Sequence, residues 1–229
     1  KWTATAAVDS DSVVLAPSCM AAIYTALRSA RRYHKSGGGG KSIVFGFPYL
    51  DTLKLCSRPE LVKDGVEFFG LGDAGDIENL ERLLSKNPKS FSALFTEVPS
   101  NPLLQCPDVH RLAELAKEHD FCLIVDDTIS NWLNIDVLES GLADAVCTSL
   151  TKLVSGRGDA IAGSVVTNPH TPRGRWMRDD LLLQRDQENA LFGADAAAIV
   201  TNSADFVERN QIINENSEQL ADWFLEHPD

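Results

Sequence analysis

Six short apolar runs recur along the chain: SIVFGF (42–47), VEFFG (66–70), SALFTEV (92–98), FCLIVD (121–126), DAVCTSL (144–150) and GSVVT (163–167). Each has the length of a strand buried on both faces and is bounded by turn-forming residues. The stretches around and between them, Ser18–His34, Asp51–Lys63, Asp76–Ser85 and Asp108–His119, repeat their apolar positions with helical spacing. Ser18 and Asp108 stand where a helix needs a side-chain acceptor for its first free N–H groups, so both are read as N-caps. Alternating strands and helices of these lengths predict an α/β domain around a mostly parallel sheet.

The balance of 21 basic against 33 acidic side chains gives a formal net charge of −12 with no basic block, which argues against nucleic acid or an anionic membrane as partner. No apolar stretch approaches the ~20 residues of a membrane-spanning helix, and a cytoplasmic location is expected. The five cysteines are odd in number and form no C-x-x-C pair, so neither a disulfide framework nor a metal site is expected. Cys122 and Cys147 lie inside apolar runs and read as buried thiols.

The first residue is Lys1 and the last follows an amphipathic run, a pattern expected of part of a longer protein. After Thr167 the character changes, and residues 179–228 read as nearly continuous helix broken near Gly193. The expected division is a cofactor-binding domain over 1–170 and, over 171–229, a helical connection and the start of a truncated C-terminal domain. SGGGGKS imitates a phosphate-binding P-loop, but Lys35 stands where the motif needs its first glycine, and a helix precedes and a strand follows the loop. Gly37–Gly40 is expected to be a flexible loop. The tripeptide Arg157–Asp159 reads as a chance occurrence.

In a parallel sheet, ligands collect beyond the carboxyl ends of the strands. There the sequence places Tyr49 after SIVFGF, Glu97 and Asn101 after SALFTEV, and Asp126 with Thr128 at the end of FCLIVD. Ser149, Thr151 and Lys152 stand at the end of DAVCTSL, and Ser18-Cys19-Met20 opens the first helix. A lysine, a buried carboxylate, a hydroxyl pair, an aromatic ring and a helix N-terminus suit pyridoxal phosphate (PLP). That cofactor needs an amine to bond, an acid against its ring nitrogen and donors for its phosphate. Asp127 is expected to be a satisfied loop carboxylate and Glu97 an ion-pair partner.

S-x-T-K before a glycine-rich turn, V-D-x-T with its aspartate 26 positions earlier, E-x-P-S-N-P-L-L and S-x-M-A-A-I occur together and in order. In combination they resemble the Cys/Met-metabolism PLP-dependent enzymes, with the aspartate aminotransferase type I fold. FGFPYLDTLKL, ALFTEVPSNPLLQCPDVHRLAELA and DDTISNWLNIDVL look like the fungal cystathionine γ-synthase branch of that family. The resemblance runs from about Ser18 to Pro169.

The resemblance implies that Lys152 is the Schiff-base lysine and Asp126 the partner of the ring nitrogen. It also implies that Tyr49 stacks on the ring, Asn101 bonds the ring hydroxyl, and Ser149 and Thr151 bind phosphate with the backbone of Cys19 and Met20, Thr128 lying close by. Lys152 and Tyr49 are thereby the expected catalytic residues. The implied reaction joins an O-acylhomoserine to cysteine, giving cystathionine. A cystathionine lyase, an acylhomoserine sulfhydrylase, or an inactive segment serving assembly are the alternatives. A homodimer or homotetramer is implied for the full-length protein. The chain departs from the family pattern at Cys19, where glycine is usual, near Arg157, and at Ala162-Gly163, where a glycine pair is usual.

Overall fold

A computed structural model describes residues 8–34, 40–138, 141–184 and 191–227. Seven strands form one sheet: β1 (Val13–Ala16), β2 (Lys41–Phe45), β3 (Val66–Phe69), β4 (Phe91–Glu97), β5 (Cys122–Asp126), β6 (Ala145–Ser149) and β7 (Gly163–Thr167). Their order is β1-β7-β6-β5-β4-β2-β3. β7 runs antiparallel to both of its neighbours, and the remaining pairs are parallel. The expected mostly parallel sheet flanked by helices is therefore observed.

Alternation along the strands splits the core in two. Val44, Phe95, Ile124, Ala145 and Cys147 face one side, where α1 (Cys19–Tyr33) and α6 (Pro172–Gln184) contribute Ile23, Leu27, Met177 and Leu181. Ile43, Phe45, Leu94, Leu123, Val125 and Val146 face the other, against Leu80 and Leu84 of α3 (Ala74–Lys86) and Leu112 and Leu115 of α4 (Val109–His119). Each such fully buried side chain contributes roughly 1.5–3 kcal/mol, so the two layers hold the sheet without help from disulfides. The five cysteines are free, and Cys122 and Cys147 are buried as expected.

Caps follow the sequence reading at two helices. The Ser18 side chain accepts from the Ala21 amide, and Asp108 accepts from the Arg111 amide. Elsewhere the structure differs. α2 (Leu50–Cys56) stops well short of Lys63, since Pro59 lacks the N–H a continuing helix needs and disfavours helical backbone at Arg58. α3 begins at Ala74 because Asp73, not a later residue, caps it through the Asp76 amide. β3 is an edge strand with Phe68 49% exposed, so the expected buried strand there is corrected. β1, four residues long, shows no periodic pattern in the sequence; its pairing with β7 creates it.

Beyond β7 the described residues are mainly helical, with α7 (Gly193–Asn202) and α8 (Phe206–Glu226) beginning after the expected break. Together with Leu150, Val154, Ala160 and Ala162 they form a third small cluster through Ile199 and Phe206. Phe206 is buried against Trp132 of α5 (Asn131–Asn134), the ring centroids 5.3 Å apart. Of the glycine tract, 37–39 lie outside the described residues. Lys41 at its end pairs with Glu67 at 2.6 Å. Among the described residues no helix is long and apolar enough to cross a membrane, and no group of three or more His, Cys, Asp or Glu side chains could hold a metal ion.

Candidate functional site

Sheet order brings the site together. From β2 the chain passes outward to β3, then returns to β4 on the other side of β2 and continues to β5 and β6. The β2/β4 boundary is thus a topological switch point, where the carboxyl-end loops diverge and leave a crevice. Register then aligns Glu97 with Asp126 and Asp126 with Cys147. Their side chains follow Phe95, Ile124 and Ala145 by a two-residue period, so all three point to the α1 side of the sheet. Ile23, Pro48, Thr52, Phe95, Thr96 and Ile124 complete the small cleft around them.

Asp126 sits at its floor. One carboxylate oxygen accepts from the Thr128 amide at 3.0 Å, and the other lies 3.7 Å from the Cys19 thiol. Burial raises the Asp126 pKa above the usual carboxylate range, and the hydrogen bonds from Thr128 and Cys19 oppose that rise. The same burial, with the Asp126 charge beside it, pushes the Cys19 thiol far up, so Cys19 is a neutral donor here. Thr128 Oγ1 accepts from the Ser149 amide at 2.9 Å, tying β5 to the end of β6.

Asp127 points to the opposite face. Its carboxylate accepts from the Thr148 hydroxyl at 2.5 Å, and burial pushes its pKa to about 7. It is a satisfied carboxylate, as expected. Glu97 differs from its expected role as an ion-pair partner. Its Oε1 accepts from the Tyr49 amide and its Oε2 from the Asn101 amide at 3.4 Å, while burial raises its pKa to about 7. Backbone N–H groups of two loops therefore hold this carboxylate.

Lys152 occupies a single wide turn, Leu150–Val154, closed by a hydrogen bond from the Ser155 amide to the Leu150 carbonyl at 2.9 Å. Such five-residue turns often mark functional positions. At Lys152 itself the backbone leaves helical geometry (φ −80°, ψ −112°), and the side chain is exposed rather than enclosed. Thr151 is anchored: its hydroxyl donates to the Ala162 carbonyl at 3.2 Å and accepts from the Ala162 amide at 3.0 Å. Ser149 is buried at the strand end, Asn101 is exposed in the turn after β4, and Tyr49 is 54% exposed at the start of α2.

The first turn of α1 lies against β7. The Ala22 amide bonds back to Ser18 O at 3.0 Å, so the amides of Cys19 and Met20 precede the first intrahelical bond and point out of the helix end. Ser149 pairs in register with Gly163, which abuts Ser18 and Cys19, so the end of β6 and this helix end are neighbours.

Sequence reasoning missed Arg209. From α8 its guanidinium donates to the carbonyls of Leu153 and Val154, both at 2.9 Å, and it pairs with Asp205. Gly156, at φ +69°, passes so close that an added β-carbon would lie 3.0 Å from that guanidinium. Arg209 thus fastens the turn just after Lys152 to a helix more than fifty residues away in sequence. No motif signals this contact, since an arginine on a polar helix reads as solvated. The Arg157–Asp159 tripeptide is held by the same helices, through Asp205 and Asn202.

Comparison with known proteins agrees with this geometry. Residues 5–229 match the profile of the Cys/Met metabolism PLP-dependent enzymes. A cystathionine gamma-synthase of Neurospora crassa is 35% identical over 220 residues, 95% of this chain and 34% of the relative. One from Saccharomyces cerevisiae is 37% identical over 224 residues, 91% of this chain and 34% of the relative. The chain therefore spans about a third of the length of these curated relatives. Among solved structures, a cystathionine gamma-lyase from Lactobacillus plantarum superposes with a TM-score of 0.72 at 24% identity, covering 94% of this chain and 52% of that one, a likeness of fold.

Proposed function

This chain belongs to the Cys/Met metabolism PLP-dependent enzymes, and we propose that it forms the cofactor-binding part of a cystathionine γ-synthase. The reaction would join an O-acylhomoserine to cysteine: the γ-acyloxy group leaves as a carboxylate and a carbon–sulfur bond to cysteine takes its place. Residues 1–170 would be the cofactor domain and 171–229 its helical continuation.

The observation that carries the reading is Asp126. It is a half-buried carboxylate, aligned with the other strand ends, facing the first turn of α1, and paired with no cation among the described residues. Such a group is costly to ionise until a positive charge is placed against it. A protonated ring nitrogen is that charge, and the neighbouring helix end with the Ser149 hydroxyl offers the donors a phosphate needs. The residues present therefore fit pyridoxal phosphate.

Bound there, the cofactor would supply an electron sink next to the substrate's reacting carbons. Lys152 would hold it covalently through Nζ and, once released by the substrate amine, would carry protons between the substrate's α and β carbons. Asp126 would keep the proton on the ring nitrogen. Tyr49 would cover the ring, and Asn101 would bond its hydroxyl. Ser149 and the amides of Cys19 and Met20 would bind the phosphate. Thr151 would complete that cradle by turning its hydroxyl proton from the Ala162 carbonyl to the phosphate, with Thr128 bracing Asp126 and Ser149. The exposure of Lys152 in this chain suits an amine that must meet both cofactor and substrate.

The test is a product assay on a longer form of the protein containing these residues. Cystathionine released in step with the free acid supports the reading. Formation of a keto acid, or of homocysteine from sulfide with none from cysteine, would replace it by a lyase or a sulfhydrylase.

A further inference from the structure

We infer that Glu97 is a positioning residue, whose carboxylate holds the Tyr49 loop and the Asn101 turn at one fixed spacing and so sets where the cofactor ring is gripped. The inference rests on the placement of Tyr49 and Asn101 at the ring.

Glu97 closes β4 at the switch point, where the loops after β2 and β4 part. It is 9% exposed, and its two oxygens are divided between two loops: Oε1 takes the Tyr49 amide and Oε2 the Asn101 amide. A carboxylate can accept on both oxygens at once, and among the described residues no hydrogen bond joins Tyr49 to Asn101 directly. The rest of the cleft wall near it is largely apolar, formed by Ile23, Pro48, Phe95 and Ile124. An ion-pairing role would place a cation here, yet the partners are two N–H groups, an arrangement suited to fixing loop geometry.

The titratable groups facing Glu97 are few. β5 presents Asp126, β6 presents the neutral Cys147 thiol, and the β2–α2 loop carries the Tyr49 phenol. Beyond Asp126 stands the neutral thiol of Cys19 from α1. Burial is the main reason the Glu97 carboxyl titrates at about 7, and Asp126 adds to the rise. Protonation converts one acceptor oxygen into a donor that faces an N–H group, so one of the two loops is released.

The experiment follows the backbone amide resonances of Tyr49 and Asn101 in the 229-residue chain without cofactor as pH is varied. Both are expected to shift together through one transition near neutrality. That transition should be absent in Glu97→Gln and move to lower pH in Asp126→Asn. In parallel, binding of 4-deoxypyridoxine 5′-phosphate, which has no aldehyde and so ignores Lys152, is measured at pH 6 and pH 8. Wild type should bind about five- to tenfold more weakly at the lower pH, the scale of one ordinary hydrogen bond lost, and Glu97→Gln should bind weakly at both. Amides that do not titrate together overturn the inference without any variant. If Asn101→Ala and Tyr49→Ala weaken binding while Glu97→Gln does not, Glu97 has no positioning role. If all three bind like wild type, the placement of the ring is wrong and the inference falls with it.

Discussion

Gly163 and Cys19 meet backbone to backbone: a β-carbon on Gly163 would lie 2.6 Å from the Cys19 amide nitrogen and 2.5 Å from the Ser18 carbonyl oxygen. The atoms it would strike belong to a helix end and cannot swing aside as a side chain would. Gly163→Ala should therefore push the first turn of α1 off β7 and cost about 1–3 kcal/mol, the usual range for overpacking. Urea denaturation checks the stability. Weaker retention of inorganic phosphate or pyridoxal phosphate by the folded variant checks that the same contact shapes the anion cradle.

Lys152→Ala should leave stability within about 0.5 kcal/mol of wild type, because the side chain is exposed. It should also abolish covalent retention of pyridoxal phosphate. Borohydride reduction and peptide mapping of the wild-type chain should place the pyridoxyl label on Lys152, and a label on another lysine would reject the assignment.

Asp126→Asn keeps an oxygen for the Thr128 amide, so the fold and cofactor binding should survive. An amide cannot hold the ring nitrogen's proton. In an active form of the protein, turnover should fall by about a hundredfold to a thousandfold, the scale seen when one key electrostatic stabiliser is removed. Turnover near wild type would mean that another group serves the nitrogen.

Asp127 makes stability depend on pH. Its pKa rises from 3.8 unfolded to about 7 folded, so between those values the folded chain binds a proton that the unfolded chain has released. Stability from this group is therefore greatest at the acid end and lost as pH rises through the window. At roughly 1.4 kcal/mol per pH unit the loss is on the order of a few kcal/mol. Denaturation midpoints should fall between pH 5 and pH 8 in wild type, and Asp127→Asn should flatten that slope.

The far half of α8 exposes Leu220, Trp223, Phe224 and Leu225. A contiguous apolar face of this kind promotes association, so the 229-residue chain should sediment as more than a monomer. Replacing Leu220 and Phe224 together by serine should shift it toward the monomer without lowering its stability, since neither side chain is buried. A monodisperse wild-type monomer would contradict this.

Much of the architecture was written in local pattern. Continuous apolar runs of strand length announced β2, β4, β5, β6 and β7, and the caps at Ser18 and Asp108 marked two helix starts, because both signals arise within a few consecutive residues. The two-residue period of extended chain separates Asp126 from Asp127, since successive side chains on a strand face opposite sides of the sheet. Lys152 and Asp126 could be singled out because the ends of parallel strands are where ligands gather. Tertiary structure alone decided the rest. β1 exists through its pairing with β7, and Phe206 is buried because Trp132 comes to meet it. Glu97 became a clamp on Tyr49 and Asn101, and Arg209 a fastener of the turn beyond Lys152, through contacts spanning up to 56 residues. Local pattern reports which face a side chain occupies. Which backbone amide or carbonyl waits there depends on how distant loops and helices pack, and no short stretch of sequence contains that information.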